Sequence, residues 1–315
     1  MKEIGGYIEL DTYHLPMLHD QAVALNCGRS CLAYLLEARR ISKIALPFFL
    51  CDSVRNICLQ HNVRVRFYSI SEDFLPCQIE LESNEWMYVV NYYGQLTVAD
   101  ILELKKQYPR LILDHAQAYF NEPLPGVDTI YTCRKFFGVP DGAFLYTDAR
   151  LNRELPRDES RERMGFLLGR FERTASEFYA GFVENNHLFD SEPVKKMSRL
   201  TDNLLHGVDY QRIKQVRTEN YRYLEQDLGK INRLKLRMVE GAFAYPLWLE
   251  NGAEIRRRLQ GRKIYIPTLW PNVLEDVSPD TLEYDFADNV LPLPVDQRYT
   301  SEEMRMMKDA IIEFL

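Results

Sequence analysis

Lys135 lies shortly after a strand-like stretch at 127–132 and before a loop that reaches Gly142. Asp114 closes an apolar run, Leu111-Ile112-Leu113, and Gln117 follows it at one-helical-turn spacing. Near the N-terminus, Cys27-Gly28-Arg29-Ser30 stands between a strand-like and a helix-like stretch. Each type has a chemistry. A lysine amine condenses with an aldehyde to give an imine. A carboxylate at the end of an apolar strand is partly desolvated, which raises its pKa unless a cation such as a pyridinium N–H lies beside it. A glycine turn opening a helix offers backbone amides to a phosphate, and Ser30 adds a hydroxyl. Imine lysine, pyridinium carboxylate and phosphate turn are together what pyridoxal 5'-phosphate (PLP) requires of a protein.

Taken singly, each has a plainer meaning. A strand-end aspartate is usually a cap or an ion-pair partner. A lysine beside an arginine, as in Arg134-Lys135, is usually surface charge. A Gly-Arg-Ser turn before a helix is common. Their order along the chain carries the reading, because the elements between them place all three at strand ends.

Those elements alternate. Strands are predicted at 22–26, 43–47, 63–68, 86–91, 110–114 and 127–132, and helices at 29–40, 52–61 and 97–106. Asp52 or Ser53 is the expected cap of the second helix and Thr97 that of the third. Strands alternating with short helices make βαβ units, hence an α/β fold with a mostly parallel sheet covered on both faces. Ligands of such sheets bind at the carboxyl ends of the strands. From about residue 158 the pattern changes to long amphipathic stretches at 158–186, 193–206 and 210–228. Strand-like pieces follow at 234–239 and 244–249, and a last helix from Ser301 is opened by a Thr300/Glu303 capping box. This predicts a large domain over 1–200, connecting helices included, and a smaller α+β domain over 201–315.

Bulk properties narrow the partners. The chain has 315 residues, 46% of them hydrophobic, and a net charge of -7, which disfavours nucleic acid and anionic membranes. The one basic cluster, Arg256-Arg257-Arg258, reads as a solvated helix face. No apolar run is long enough to span a bilayer, and no signal-peptide pattern opens the chain. Six cysteines without CxxC spacing read as reduced thiols in the cytoplasm. Cys27 and Cys31 share a helix face as packing residues, and no metal site is expected.

The residues also resemble a family, the DegT-type sugar aminotransferases, which are fold-type-I PLP enzymes. Asn26-Cys27-Gly28-Arg29-Ser30 with Leu32 resembles the family's phosphate turn. Val90-Asn91-Tyr92-Tyr93-Gly94 and Asp114-His115-Ala116-Gln117-Ala118 resemble two further family segments. Lys135 stands before Asp141-Gly142-Ala143 as the family's Schiff-base lysine stands before its Gly-Gly pair. Leu291-Pro292-Leu293-Pro294 and the stretch from Tyr299 to Glu303 resemble the closing segment and last helix. There are departures. The segment before the phosphate turn is short, and the family's Ser-Phe-His stretch before the lysine is missing, which leaves Thr132 as the nearest hydroxyl. The ring-covering aromatic falls on Cys51, with Phe49 as the alternative. The partner-subunit segment would lie near Ser198-Arg199, where the match is loose.

The resemblance implies a three-layer α/β/α PLP-transferase fold of type I. It implies that Lys135 and Asp114 are catalytic, and that Gly28, Arg29, Ser30, Phe49 or Cys51, Gln117 and Thr132 bind the cofactor. The activity implied is transfer of an amino group from an amino acid such as glutamate to a nucleotide-linked keto-sugar, of the kind used for polysaccharides or antibiotic sugars. The same imine supports elimination, decarboxylation or retro-aldol cleavage, and a non-catalytic binding or regulatory module is the third reading. A homodimer is expected, with Phe166, Leu167, Leu168 and Phe171 facing either a partner or the chain's own core.

Overall fold

The computed structural model describes residues 4–315. Strand β1 (Val23–Leu25) leads into helix α1 (Gly28–Ala38), β2 (Lys43–Pro47), α2 (Asp52–Gln60), β3 (Arg64–Tyr68) and β4 (Trp86–Val90). Then come α3 (Val98–Gln107), β5 (Leu111–Asp114), β6 (Asp128–Thr132) and β7 (Ala143–Tyr146). These strands form one seven-stranded sheet in the order β1-β7-β6-β5-β4-β2-β3. Strands β2 to β6 are mutually parallel, and β7 runs antiparallel to both of its neighbours. The expected α/β class and mostly parallel sheet are therefore present. Valine- and leucine-rich strands such as β4 and β5 are buried on both faces, as a sheet flanked by helices requires.

Thr97 caps α3 through a reciprocal capping box with Asp100. Neither Asp52 nor Ser53 caps α2. Cys51 occupies the N-cap without a side-chain bond, and Asp52 is the first helical residue, where a negative charge favours the helix dipole.

The stretch 158–186 is not one helix. It divides into α4 (Gly165–Glu172) and α5 (Tyr179–Leu188). The Phe178 ring lies so close to Gly169 that a Cβ there would meet it at 2.3 Å, so the helices fold back on each other at this contact. Of 193–206 only α6 (Arg199–Leu205) is helical, capped by Ser198. The residues before it run beside β1, with Asn26 N–H donating to Lys195 O at 3.0 Å and Met197 N–H to Ala24 O at 3.2 Å.

Helix α7 (Tyr210–Leu228) leads to β8 (Ala244–Trp248), α8 (Gly252–Gly261), α9 (Val273–Asp276), α10 (Leu282–Asn289), β9 (Val290–Pro294) and α11 (Ser301–Phe314). The capping box expected at Thr300 is formed with Glu303. Strands β8 and β9 make a two-stranded antiparallel sheet. Tyr221, Leu224, Leu247, Leu259, Leu291 and Ile311 share a buried cluster around it. The strand expected at 234–239 does not form. Side chains take its backbone groups instead: Asn232 Oδ1 accepts from Leu234 N at 3.1 Å, and Gln95 both accepts from Arg237 N at 2.8 Å and donates to Arg237 O at 3.2 Å. The partner of β8 is β9, which the sequence presents only as a Leu-Pro repeat.

Candidate active site

Because β2, β4, β5 and β6 are parallel, the loops that follow them open at one end of the sheet. The turn at 26–30 joins them there, since Gly142 N–H, beyond Lys135, donates to Asn26 O.

Asp114 is the last residue of β5 and is 8% exposed. Its Oδ1 accepts from Ala116 N at 2.7 Å and its Oδ2 from the Tyr88 hydroxyl at 2.8 Å. Burial pushes the carboxyl pKa up, while the Lys135 charge, the Ala116 amide and the Tyr88 hydroxyl oppose that rise. Lys135 is reachable by solvent yet crowded by protein atoms. That crowding lowers its pKa, and the nearby Asp114 acts in the other direction. Its ammonium lies 5.6 Å from the centre of the Phe243 ring. The structure thus brings Asp114, at the end of β5, and Lys135, three residues past the end of β6, within electrostatic range of each other without a salt bridge.

Gln117 is 1% exposed. Its Oε1 accepts from Tyr93 N at 2.8 Å, and its Nε2 has no partner among the described residues. A buried amide donor left unpaired is costly, and such groups mark places where a ligand atom completes the bonding. The ring hydroxyl oxygen of a PLP held by Asp114 is an acceptor of the right kind. His115 points elsewhere: it is fully buried, its Nε2 lies 3.3 Å from Asn91 Nδ2, and burial lowers its pKa to about 3.

In the turn, Cys27 is the N-cap of α1 and its Sγ accepts from Ser30 N at 3.4 Å. The amides of Gly28 and Arg29 open the helix and have no acceptor within it. Ser30 Oγ donates to Asn26 Oδ1 at 2.6 Å, so its hydrogen is engaged within the turn. A Cβ on Gly28 would come to 4.0 Å from Ile130 Cγ2 of β6. Strand alternation puts Thr132 on the same face as Ile130, the phosphate-turn side. The Arg29 side chain donates from Nη1 to Asn186 O at 2.9 Å.

The two ring-cover residues differ. Cys51 is half-buried and within electrostatic reach of Lys135, with its Sγ 3.1 Å from Ser53 Oγ. Phe49 is 1% exposed and packs against Tyr92, Trp270 and Phe286, with ring centres 5.0 to 5.7 Å apart. Its ring is thus buried within an aromatic cluster.

Several residues at the site are invisible in the sequence pattern. Tyr88 reaches Asp114 only because the β4–β5 register sets it opposite Ile112. Arg217, 1% exposed, donates from Nη2 to Phe136 O at 3.2 Å, and Gln297 Nε2 donates to the same oxygen at 2.7 Å. They pin the residue after Lys135 from more than eighty positions away in sequence. Asp141 is fully buried and accepts from Ser198 N at 2.8 Å, from Ser198 Oγ at 2.7 Å and from Thr201 Oγ1. It fixes the far end of the lysine loop.

The sheet order, with helices on both faces, makes a three-layer α/β/α fold. No family model and no curated protein sequence matches the chain. Solved structures do match in fold. S. venezuelae DesV in complex with a ketimine intermediate superposes with a TM-score of 0.65 at 15% identity, covering 94% of this chain and 85% of that one. A DegT DnrJ EryC1 StrS aminotransferase from Brucella abortus gives 0.63 at 13%, covering 94% and 86%. NtdA from Bacillus subtilis with bound cofactor PMP gives 0.67 at 13%, covering 94% and 73%. The chain therefore has the fold of these solved structures.

Proposed function

We propose that the protein is a PLP-dependent aminotransferase that passes an amino group from an amino acid such as glutamate to a keto-sugar, nucleotide-linked in the simplest reading. The carrying observation is Asp114 at the end of β5 within electrostatic range of Lys135 just past β6, beside the unpartnered Gln117 Nε2. The fold shared with solved structures described as sugar aminotransferases supports the substrate class.

When bound, PLP supplies a ring that withdraws electrons from the substrate carbon. Asp114 would keep the pyridine nitrogen protonated, and Tyr88 and the Ala116 amide would hold Asp114 in place. Gln117 Nε2 would donate to the ring hydroxyl oxygen. The amides of Gly28 and Arg29, with Thr132, would take the phosphate, and Ser30 would join them by turning its hydroxyl from Asn26. Cys51 would lie against the ring. Lys135 would attach the cofactor covalently and, once displaced by substrate amine, move a proton at the substrate carbon. Its lowered pKa suits that task, since a base needs a neutral amine.

In this reading 1–200 binds the cofactor and 201–315 forms a smaller domain over the site. Two copies would pair through α4, whose Leu168 is 58% and Phe171 91% exposed. Six unpaired cysteines fit a reducing, cytoplasmic setting, and no helix among the described residues is long and apolar enough to cross a membrane.

The test is the absorbance of the purified protein with PLP. A visible imine band should appear, borohydride should fix the cofactor on Lys135, and Lys135→Ala should abolish that adduct. Glutamate should bleach the band by converting the cofactor to its amine form. A protein that takes up no PLP would sink the proposal. Uptake without any response to amino donors would favour elimination, decarboxylation or aldol cleavage, a reading supported by Cys51 at the ring-cover position.

A further inference from the structure

One guanidinium at this site lacks a counter-charge. Arg134 precedes Lys135 and donates from Nη2 to Asn186 Oδ1. Its guanidinium carbon lies 5.0 Å from the centre of the Phe189 ring, and Arg163 lies 5.2 Å from the same ring. Arg163 is paired with Asp158 at 2.6 Å and Arg29 with Asp190 at 3.3 Å. Among the described residues, no carboxylate pairs with Arg134 at salt-bridge distance. Asp141 acts on it only at longer range, and that carboxylate is already committed to Ser198 and Thr201.

The surroundings worsen the imbalance. Arg29 and Arg134 grip opposite sides of Asn186, its backbone oxygen and its side-chain oxygen. Both act electrostatically on the Cys27 thiol at the N-cap of α1. The N-terminus of an eleven-residue helix adds partial positive charge there. Burial, with Arg29 and Arg163, depresses the Arg134 pKa to about 10. Arg29 Nε is itself buried without a partner. A partly buried cation among cations is stabilised by an anion that offsets the desolvation, and a guanidinium's forked donors match a phosphate.

We infer that Arg134 is the cationic partner of the anion received at the α1 N-terminus, which, resting on the reading above, is the cofactor phosphate. It supplies the charge that Thr132 and Ser30 lack. This makes Arg134 a determinant of affinity for the phosphate and gives it no part in proton transfer.

The test compares PLP with pyridoxal, which lacks the phosphate, on the full-length protein, by absorbance and fluorescence titration. Arg134→Gln should weaken PLP about 10- to 100-fold and pyridoxal by less than about twofold. Arg134→Lys keeps the charge without the fork, so it should lose about 3- to 10-fold on PLP alone, and it serves if Arg134→Gln does not fold. Equal losses on both compounds would assign Arg134 a packing role and overturn the inference. So would unchanged PLP affinity. Inorganic phosphate separates this from the cofactor reading. If the wild type takes up neither PLP nor pyridoxal, that reading falls. A phosphate-induced rise in melting temperature that Arg134→Gln removes would then keep the anion site, and its absence would overturn the inference as well.

Discussion

The Tyr88 hydroxyl donates to Asp114 Oδ2 at 2.8 Å across the β4–β5 pair, at a point where both side chains are almost fully buried. One of the two donors that steady this carboxylate is thus a side chain on the neighbouring strand. The other is the Ala116 amide. A hydrogen bond to a charged, buried group contributes about 1.5–3 kcal/mol. Tyr88→Phe should therefore weaken PLP binding by roughly tenfold or more, and it should raise the Asp114 pKa further. Titrating PLP into the variant across pH checks this. An unchanged dissociation constant would mean that the phenol does not hold the carboxylate.

Gln117 has two jobs that one substitution can separate. Its Oε1 satisfies Tyr93 N–H, whose residue adopts a positive φ of 53° in the turn after β4. Gln117→Leu leaves that buried amide unpaired, at a cost of about 1–3 kcal/mol in stability. It also removes the Nε2 donor, so the absorption maximum of bound PLP should shift. Denaturant melts read the first effect and the visible spectrum reads the second. A spectral shift is not expected if Nε2 faces only protein.

Gly142 ends the lysine loop with φ +114°, a region that side chains rarely adopt. A Cβ there would meet Thr201 Cγ2 at 3.0 Å and Cys133 at 3.2 Å. Gly142→Ala should cost about 2–4 kcal/mol, from strain and contact together. Gly126 is the control, since its φ is +76° and nothing lies within 4 Å of the added carbon. Gly126→Ala should cost about 1 kcal/mol. Equal losses would show that the contact at Gly142 relaxes freely.

Stability should fall in mild acid through His19. This residue is 2% exposed, its Nε2 lies 3.0 Å from Tyr119 O and its Nδ1 3.1 Å from the Tyr146 hydroxyl. Burial lowers its pKa from 6.5 to about 4, and the Tyr119 carbonyl opposes only part of that. Between these values the unfolded chain binds a proton that the folded one does not. Stability is therefore complete above pH 6.5 and is lost as pH drops toward 4, by about 3 kcal/mol in all. His115, lowered to about 3, acts in the same direction. His19→Gln should flatten the pH dependence of the unfolding free energy without abolishing it. A slope unchanged from wild type would contradict the assignment.

Much of the architecture is legible in the chain itself. The strand 43–47 and the helix 210–228 form with the bounds their patterns suggest, and Thr97 and Thr300 cap as their spacing to Asp100 and Glu303 requires. Their signals are local, since periodicity and capping depend on residues within a turn or two. The placement of Asp114 at a strand end is local in the same sense. Stretches whose hydrogen bonds go to distant side chains are not legible. The segment 234–239 reads as a strand, but Gln95 and Asn232 claim its backbone.

The sequence by itself determined that Asp114 ends a strand and that Lys135, Gln117 and the turn from Gly28 to Ser30 follow strands, because residue patterning and turn signals mark each strand locally. Only the tertiary structure decided what they meet. Register set Tyr88 on Asp114, the aromatic cluster buried Phe49, and the fold-back of α5 brought Asn186 between Arg29 and Arg134. Contacts between residues far apart in sequence depend on how whole elements pack, and nothing in the local pattern around either partner encodes that.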